Sequence, residues 1–187
     1  DAVAGRWHMH TPIPPNISGL TVADASKVDE VTGKCSLVFS AVEMDKQGIL
    51  DLEGKYAEKG FAVVSNNSAY RLIEDIPVII PEINEGHLTV IPAQQQKRKW
   101  KGFIVTKPNC SIQSYMIPLY ALMKAGYVID KVILTTLQAV SGAGYPGPAS
   151  IDLIDNIVPY IGGEEEKSEV EPKKIFGKVE NGKIIPD

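Results

Sequence analysis

Short apolar runs alternate with amphipathic segments through the first hundred residues. Three runs rich in β-branched and aromatic residues predict buried strands: residues 34–42, 61–66 and 102–106. Residues 45–59 carry apolar side chains near helical spacing and stop before Gly60, which predicts a helix with a glycine cap. A polar segment up to about Lys99 predicts a second helix. This strand–helix alternation indicates a parallel sheet with crossover helices.

The pattern changes beyond residue 108. Residues 111–125 predict a helix that contains a proline and stops at Gly126, and residues 128–140 predict a long β-branched strand. The change predicts a second unit of the α+β class. The expected domains are therefore 1–108 and 109–187.

The remaining segments have weaker patterns. VIIPEIN (78–84) is expected to be extended and interrupted by Pro81, SGAGYPGPAS to be a loop, and residues 150–158 to form a short helix. The acidic stretch EEEKSEVEPKK is expected to be solvated, and GKVENGKIIPD to be a loop.

Composition and charge exclude several classes of function. The 187 residues are 44% hydrophobic and 22% charged, with a net charge of -4 and a pI near 5.4, so neither nucleic acid nor an anionic membrane is an expected partner. A basic cluster beside Trp100 is expected to be a solvated helix end: Lys97, Arg98, Lys99 and Lys101. The apolar runs are too short to predict a transmembrane helix. Two cysteines make no disulfide framework, which indicates a reduced, cytoplasmic protein.

Cys110 is the strongest candidate for chemistry. It follows a predicted strand and stands at the predicted start of a helix, where unpaired backbone N–H groups and the positive end of the helix dipole stabilise a thiolate. The same N–H groups suit an oxyanion. The alternative is an inert cysteine at a strand end, which is also how we interpret Cys35, at the start of a buried strand.

Histidines and glycine-rich segments give weaker signals. His8 and His10 alternate, but they lack the further ligands that a metal site needs, so no metal is expected. His87 is expected to be exposed, and no histidine is a convincing base for Cys110. The SGAGYPG loop (141–147) either admits a ligand close to the backbone or is a plain turn. No GxxxxGK[ST] motif occurs in the sequence.

These motifs together resemble aspartate-semialdehyde dehydrogenases of the archaeal and fungal type. KPNCS is followed after 28 positions by Gln138 in LQAVSGAGYPG. Upstream LVFSAV, VVSNNSAYR, IPVIIPEIN and GFIVTKPNC, and downstream IDLIDNIVPYIGGEEEK and EPKKI, resemble the same family in the same order. The resemblance implies a Rossmann-like NADP-binding domain, incomplete here, followed by an α+β catalytic and dimerisation domain.

The resemblance also implies a reaction. Cys110 attacks L-aspartyl-4-phosphate, phosphate leaves, and hydride from NADPH reduces the thioester to L-aspartate 4-semialdehyde, on the branch toward lysine, threonine, methionine and isoleucine. A thioester accepts hydride more readily than a carboxylate does. A homodimer or homotetramer is expected from the same resemblance.

Further site residues are implied by the family motifs. Gln138 matches a glutamine that contacts the substrate beside the thiol, Arg71 matches an arginine that contacts phosphate, and Asn109 is expected to line the phosphate site. The residues expected at the NADP site follow strands or the glycine-rich loop: Ser40, Ala41, Ser65, Asn66, Ser141 and Gly142.

The sequence also departs from the family pattern. The family's GxTGxxG turn, its carboxylate-binding arginine and its acid–base histidine have no counterpart here, and Lys107 stands where asparagine is more usual. We therefore expect a fragment of a longer protein that is inactive alone. Two alternatives stay open: a malonyl-CoA reductase paralogue, and an inactive structural or oligomerisation module.

Overall fold

Three parallel strands form the sheet on which the first part of the chain is built. The computed structural model describes Trp7, residues 10–144 and residues 146–187, and its strands are β1 (Leu37–Ser40), β2 (Ala62–Ser65) and β3 (Phe103–Thr106), adjacent in that order. Ser40 pairs with Ser65, and Ser65 with Thr106, so the carboxyl ends of the strands are level. All three predicted strands are present, although each is shorter than its apolar run. β1 lies at an edge, and the Phe39 side chain is 76% exposed rather than buried.

Helices connect these strands and continue beyond them. Within the described residues the α-helices are α1 (Pro15–Ser18), α2 (Val28–Val31), α3 (Lys46–Lys59), α4 (Pro81–Asn84), α5 (Ile91–Arg98), α6 (Cys110–Lys124) and α7 (Glu164–Phe176). Three 3₁₀-helices span Glu85–Val90, Val140–Ala143 and Ser150–Asp152. None of these helices is long and apolar enough to cross a membrane.

The α3 crossover between β1 and β2 ends as the sequence predicts. Gly60 caps the helix with a φ of 104°, a left-handed conformation in which a side chain would be strained. Gly102, just before β3, lies so close to the Phe61 carbonyl that a Cβ there would overlap it. The core between α3, the sheet and the following loop contains Val28, Tyr56, Ala57, Phe61, Val63, Tyr70, Ile76 and Ile104.

The side chain of Gln94 ties α5 to the sheet. It is fully buried, and its Nε2 donates to the carbonyls of Asp75 and Ile104, both at 2.9 Å. Its Oε1 accepts from the Ile104 N–H at 2.8 Å. One side-chain amide thus satisfies three buried backbone groups, including two of β3.

A second core joins α6 and α7 to the segment before α4. It consists of Val78, Ile80, Ile112, Met116 and Ile175, all at most 4% exposed. Val78 also bridges to Thr106 in a parallel sense, and α4 begins at Pro81. The extended prediction for 78–84 is therefore correct only up to residue 80. Proline suits the first turn of a helix because it lacks only an N–H that has no intrahelical partner.

Two predictions for residues 128–158 are wrong. Residues 128–139 form no strand: they pair with none of the described residues, and Ile133 and Leu137 are more than 90% exposed. β-Branched residues favour a strand, but a strand forms only where another strand can pair with it. The predicted helix at 150–158 is reduced to the 3₁₀ turn Ser150–Asp152, and Asp155 has a φ of 51°, which is incompatible with continuing a right-handed helix.

The acidic stretch is not a solvated tail. It forms α7, in which Glu171 and Lys174 are only 2% and 3% exposed. The segment after it is a hairpin rather than a loop, with β4 (Lys178–Glu180) antiparallel to β5 (Lys183–Ile185). Asn181 and Gly182 both have positive φ, as the favoured two-residue hairpin turn requires.

Candidate active site

Cys110 is the first residue of α6, four positions after β3 ends. Asn109 caps the helix: its Oδ1 accepts from the Ser111 N–H at 2.9 Å and from the Ser111 hydroxyl at 2.6 Å. Cys110 is exposed, whereas Asn109 and Ser111 are buried. The prediction of a helix start at Cys110 is confirmed, and this start lies at the carboxyl edge of the sheet. An accessible sulfur is thereby held at the positive end of a helix.

Arg71 lies beneath this helix start in a buried ion pair. Its Nη1 donates to Oε1 of Glu171 at 2.9 Å, and its Nη2 donates to the Asn66 carbonyl at 2.8 Å. The other carboxylate oxygen of Glu171 accepts from the Asn109 N–H at 2.8 Å. One carboxylate therefore links Arg71 to the residue that precedes Cys110.

A second carboxylate, that of Glu164, accepts hydrogen bonds from three side chains, including that of Asn109. Glu164, in the first turn of α7, accepts from Nδ2 of Asn109 at 2.9 Å, from Nζ of Lys167 at 2.8 Å and from Nε2 of Gln138 at 3.2 Å. Burial raises the pKa of Glu164, but these three donors lower it by more, so the pKa lies below its usual value. Glu164 is thus ionised and brings Gln138 to the Cys110 helix start.

Lys107 adds a cation beside the same helix start. It is half-buried, and its Nζ donates to the Pro108 carbonyl at 3.2 Å. Burial, and then the charge of Arg71, lower the pKa of Lys107, while Cys110 and Glu171 act in the opposite direction. Lys107 therefore lies within electrostatic reach of Arg71, Glu171 and the thiol.

Lys174 holds the loop that follows Arg71. Its buried Nζ donates to the carbonyls of Arg71, Ile73 and Ile76, each at 2.6 Å. Burial lowers the pKa of Lys174 to about 7, against smaller raising effects of Asp75 and Glu171. Glu171 and Lys174, which lie on the buried face of α7, thus both hydrogen-bond to residues 71–76.

The candidate NADP residues of the sheet meet at its carboxyl edge. Ser40 and Ser65 are register partners, and the Asn66 N–H donates to the Ser40 carbonyl at 2.8 Å. Ser65 is fully buried and donates to Glu53 at 2.7 Å, so its hydroxyl faces the protein. Ala41 and Asn66 are exposed, and they are the members of this set that a bound molecule could contact.

Ser141 and Gly142 lie apart from that edge, in the exposed 3₁₀-helix Val140–Ala143. Gln138, two residues before this helix, supplies the contact with the Cys110 region through Glu164. Tyr145 of the same loop lies outside the described residues.

The histidines take no part in this cluster. His87 is buried rather than exposed as predicted: Asn84 Nδ2 lies 3.1 Å from its Nδ1, and its Nε2 lies 2.8 Å from the Gly177 carbonyl oxygen. Burial lowers its pKa. His10 is exposed, and His8 lies outside the described residues. In the part of the chain that the structure describes, no three His, Cys, Asp or Glu side chains form a metal-binding group.

The residues that α7 contributes to the site were not predicted from the sequence: Glu164, Lys167, Glu171 and Lys174. Their high charge suggested a solvated segment. However, they recur at intervals of three or four, which places them on one face of a helix. That spacing was the available signal.

Comparison with known proteins identifies the family. Residues 4–91 match the family model described as "Semialdehyde dehydrogenase, NAD binding domain", and residues 119–187 match "Semialdehyde dehydrogenase, dimerisation domain". The chain belongs to the semialdehyde dehydrogenase family. The α/β fold class and the family predicted from the sequence are confirmed. Cys110 and the predicted domain boundary near Pro108 lie between the two matched regions, and that boundary stays a prediction.

Individual semialdehyde dehydrogenases give the same assignment. The chain is 42% identical over 175 residues to the aspartate-semialdehyde dehydrogenase of Cryptococcus neoformans and 47% identical over 148 residues to that of Archaeoglobus fulgidus. These alignments cover 93% and 79% of this chain, but 47% and 42% of the relatives. The chain therefore spans about half the length of the curated relatives that it matches.

A solved semialdehyde dehydrogenase supports the fold. The crystal structure of the Candida albicans aspartate-semialdehyde dehydrogenase with NADP superposes with a TM-score of 0.79 at 34% identity. The match covers 97% of this chain and 51% of that chain.

Proposed function

We propose that this chain carries the nucleophile and the phosphate side of the active site of an aspartate-semialdehyde dehydrogenase. The reaction converts L-aspartyl-4-phosphate to L-aspartate 4-semialdehyde and phosphate with NADPH, toward lysine, threonine, methionine and isoleucine. The observation that carries the proposal is the accessible Cys110 at the start of a capped helix, joined through Glu171 to Arg71. The names of the relatives at 42% and 47% identity support it.

Cys110 forms the covalent bond. Its thiolate attacks the acyl carbon, the carbon–oxygen bond to phosphate breaks, and a thioester remains on the sulfur. First-turn N–H groups of α6 that the Asn109 cap leaves free stabilise the oxyanion that develops during attack. Asn109 fixes their direction because its cap sets where the helix begins.

The basic residues serve the phosphate. Arg71 is buried behind the helix start, and Lys107 and Lys167 lie nearer the surface. Together they supply positive potential where phosphate leaves. Glu164 is an ionised carboxylate beside Gln138 and Asn109, and it suits the α-ammonium group of the amino-acid substrate.

NADPH, when bound, would supply the hydride that reduces the thioester to the aldehyde and releases the sulfur as a thiolate, leaving NADP. The exposed Ala41 and Asn66 fit a role in holding it, because they follow adjacent parallel strands at the carboxyl edge, where such sheets bind dinucleotides. The neighbouring Ser40 and Ser65 are buried register partners and support that edge from the protein interior. Ser141 and Gly142 are proposed to approach the nicotinamide end because the SGAGYPG loop resembles that of the family. The match to the NAD binding domain over residues 4–91 supports this assignment.

A homodimer or homotetramer belongs to the same proposal. The region matched by the dimerisation model includes large apolar side chains that are more than three quarters exposed: Val128, Ile133, Leu137, Ile151 and Ile157. Covering them requires a surface outside the described residues. The cytoplasmic location predicted from two unpaired cysteines stays a prediction.

The test places these residues in a polypeptide of the relatives' length. The chain replaces the matching segment of the Cryptococcus neoformans enzyme, and the chimera is assayed with aspartate semialdehyde, phosphate and NADP. We expect turnover by the chimera and none by its Cys110→Ser variant; the isolated chain is expected to be inactive. Faster turnover with malonyl-CoA and NADPH would establish the paralogue instead. A folded chimera with neither activity would leave only the structural module.

A further inference from the structure

Among the described residues, Glu171 is the carboxylate that contacts both Arg71 and Asn109, the residue before Cys110. It is 2% exposed, and each of its oxygens has a separate partner. Oε1 accepts from Arg71 Nη1 at 2.9 Å, and Oε2 accepts from the Asn109 N–H at 2.8 Å. The three residues come from a loop, a helix cap and the middle of α7, so the contact exists only in the folded chain.

The arrangement is costly as a device for stability alone. Burying an ion pair takes both charges out of water, and their mutual attraction often only offsets that loss. The neighbouring contacts already secure this region, since Lys174 grips the carbonyls of Arg71, Ile73 and Ile76 and the second core joins α7 to α6. Glu171 binds Arg71 through one oxygen and the Asn109 N–H through the other. Its effect is therefore to fix the position of Arg71 relative to the start of the Cys110 helix.

We infer that Glu171 is a positioning residue that couples the phosphate-binding arginine to the start of the Cys110 helix. The inference rests on the proposed function. Through Oε1, Glu171 fixes the guanidinium, whose Nη2 is also bound to Asn66 at the carboxyl end of β2. Through Oε2, it fixes the peptide N–H of Asn109 and hence the cap that aims Cys110. A shift of Arg71 on binding phosphate is therefore transmitted to the nucleophile.

A glutamine substitution breaks this division without changing the size of the side chain. Glutamine has one acceptor oxygen and one donor nitrogen, so Glu171→Gln can serve Arg71 or Asn109 but not both. The matched control is Glu169→Gln, which removes the same charge from an exposed position on α7. Both variants are made in the 187-residue chain, and folding is checked by circular dichroism.

The readout is alkylation of Cys110 by iodoacetamide, followed by mass spectrometry across pH, with and without inorganic phosphate. In the unchanged chain and in Glu169→Gln, phosphate is expected to change the Cys110 alkylation rate to the same extent. In Glu171→Gln we expect at least a tenfold weaker apparent affinity for phosphate in this assay and a displaced pH profile of alkylation. In the active chimera, the same variant should raise the KM for phosphate and lower kcat while leaving the KM for NADP unchanged.

If Glu171→Gln does not fold, a double variant that combines Arg71→Gln with Glu171→Gln is used instead, because it removes both buried charges. The double variant is compared with the single variant Arg71→Gln. The inference requires the double variant to differ from the single one in its alkylation pH profile. Identical profiles there, or a wild-type profile and phosphate response in Glu171→Gln, would overturn the coupling. A phosphate effect missing even from the unchanged chain would instead show that the proposed phosphate site is wrong, and the coupling falls with it.

Discussion

Arg71 and Glu171, one hundred positions apart in the chain, form a buried ion pair with 2.9 Å between Nη1 and Oε1. Both side chains are less than a tenth exposed. Removing one member leaves the other charge buried without its partner, which is far more costly than removing both. This asymmetry separates the structural role of Arg71 from its proposed role in binding phosphate.

The first prediction concerns Arg71→Leu. In the chimera we expect the phosphate requirement to rise roughly tenfold to a hundredfold, since a charge-assisted hydrogen bond is worth about 1.5–3 kcal/mol. The NADP requirement should change little. The free energy of unfolding should fall by roughly 3–5 kcal/mol because Glu171 stays buried and unpaired. Steady-state kinetics and urea unfolding measure the two effects.

The control for that prediction is Arg71→Leu combined with Glu171→Gln. This pair leaves no buried charge and keeps an oxygen for the Asn109 N–H, so much of the lost stability should return. The phosphate requirement should stay high. If the stability and the phosphate requirement both returned to their original values, Arg71 would have only a structural role.

The second prediction is that Cys110 reacts before Cys35. Both thiols are exposed, so accessibility does not distinguish them. Only Cys110 stands at the start of a long helix. Substoichiometric iodoacetamide should label Cys110 predominantly, as peptide mass spectrometry would show. Cys35→Ser should retain that labelling, and equal rates at the two thiols would contradict the assignment.

The third prediction concerns the cap before the nucleophile. Asn109→Ala removes the acceptor for the Ser111 N–H and should lower the free energy of unfolding by about 0.5–2 kcal/mol. It should also change the alkylation rate of Cys110. Asp45→Ala is the matched control because Asp45 makes the same kind of cap on a different helix, α3, where it accepts from the Gly48 N–H at 2.7 Å. That variant should lose similar stability with unchanged Cys110 labelling; a change of the same size would show a global effect.

The fourth prediction is a pH dependence from Lys174. Its pKa falls from 10.5 to about 7 on folding, so between these values the unfolded chain binds a proton that the folded chain does not. The free energy of unfolding therefore gains a contribution that rises with pH, by at most about 1.4 kcal/mol per pH unit. Lys174→Met should remove this rise.

Urea unfolding at a series of pH values from about 6 to 10 checks it. The stability of the unchanged chain relative to Lys174→Met should increase across the series. Lys173→Met, at the exposed neighbouring position, should leave the slope unchanged. Parallel curves for the unchanged chain and Lys174→Met would refute the prediction.

Local patterns predicted the parts of the fold that depend on local physics. The α3 helix and its Gly60 cap, the three parallel strands and the start of α6 at Cys110 each follow from residues close together in sequence. The prediction of a strand at 128–140 was wrong because β-branched residues favour the extended conformation but do not by themselves provide a neighbouring strand to pair with.

The site was predictable in part for the same reason. Cys110 and its Asn109 cap are adjacent, so the sequence shows them together. The contact of Glu171 with Arg71 spans one hundred positions, and that of Glu164 with Asn109 spans 55. No local pattern reports such contacts, and the charge of α7 concealed the helical spacing that places these glutamates on one face of the helix.

The two hydrogen bonds of Glu171, to Arg71 and to Asn109, have a consequence for recombination between relatives. Arg71 lies in the region matched by one family model, Glu171 in the region matched by the other, and Cys110 between them. A crossover anywhere from residue 92 to residue 118 would inherit the arginine from one parent and the glutamate from the other. Such hybrids should remain intact only where both parents contribute compatible partners at these two positions, so the two halves are exchangeable as a matched set rather than as independent modules.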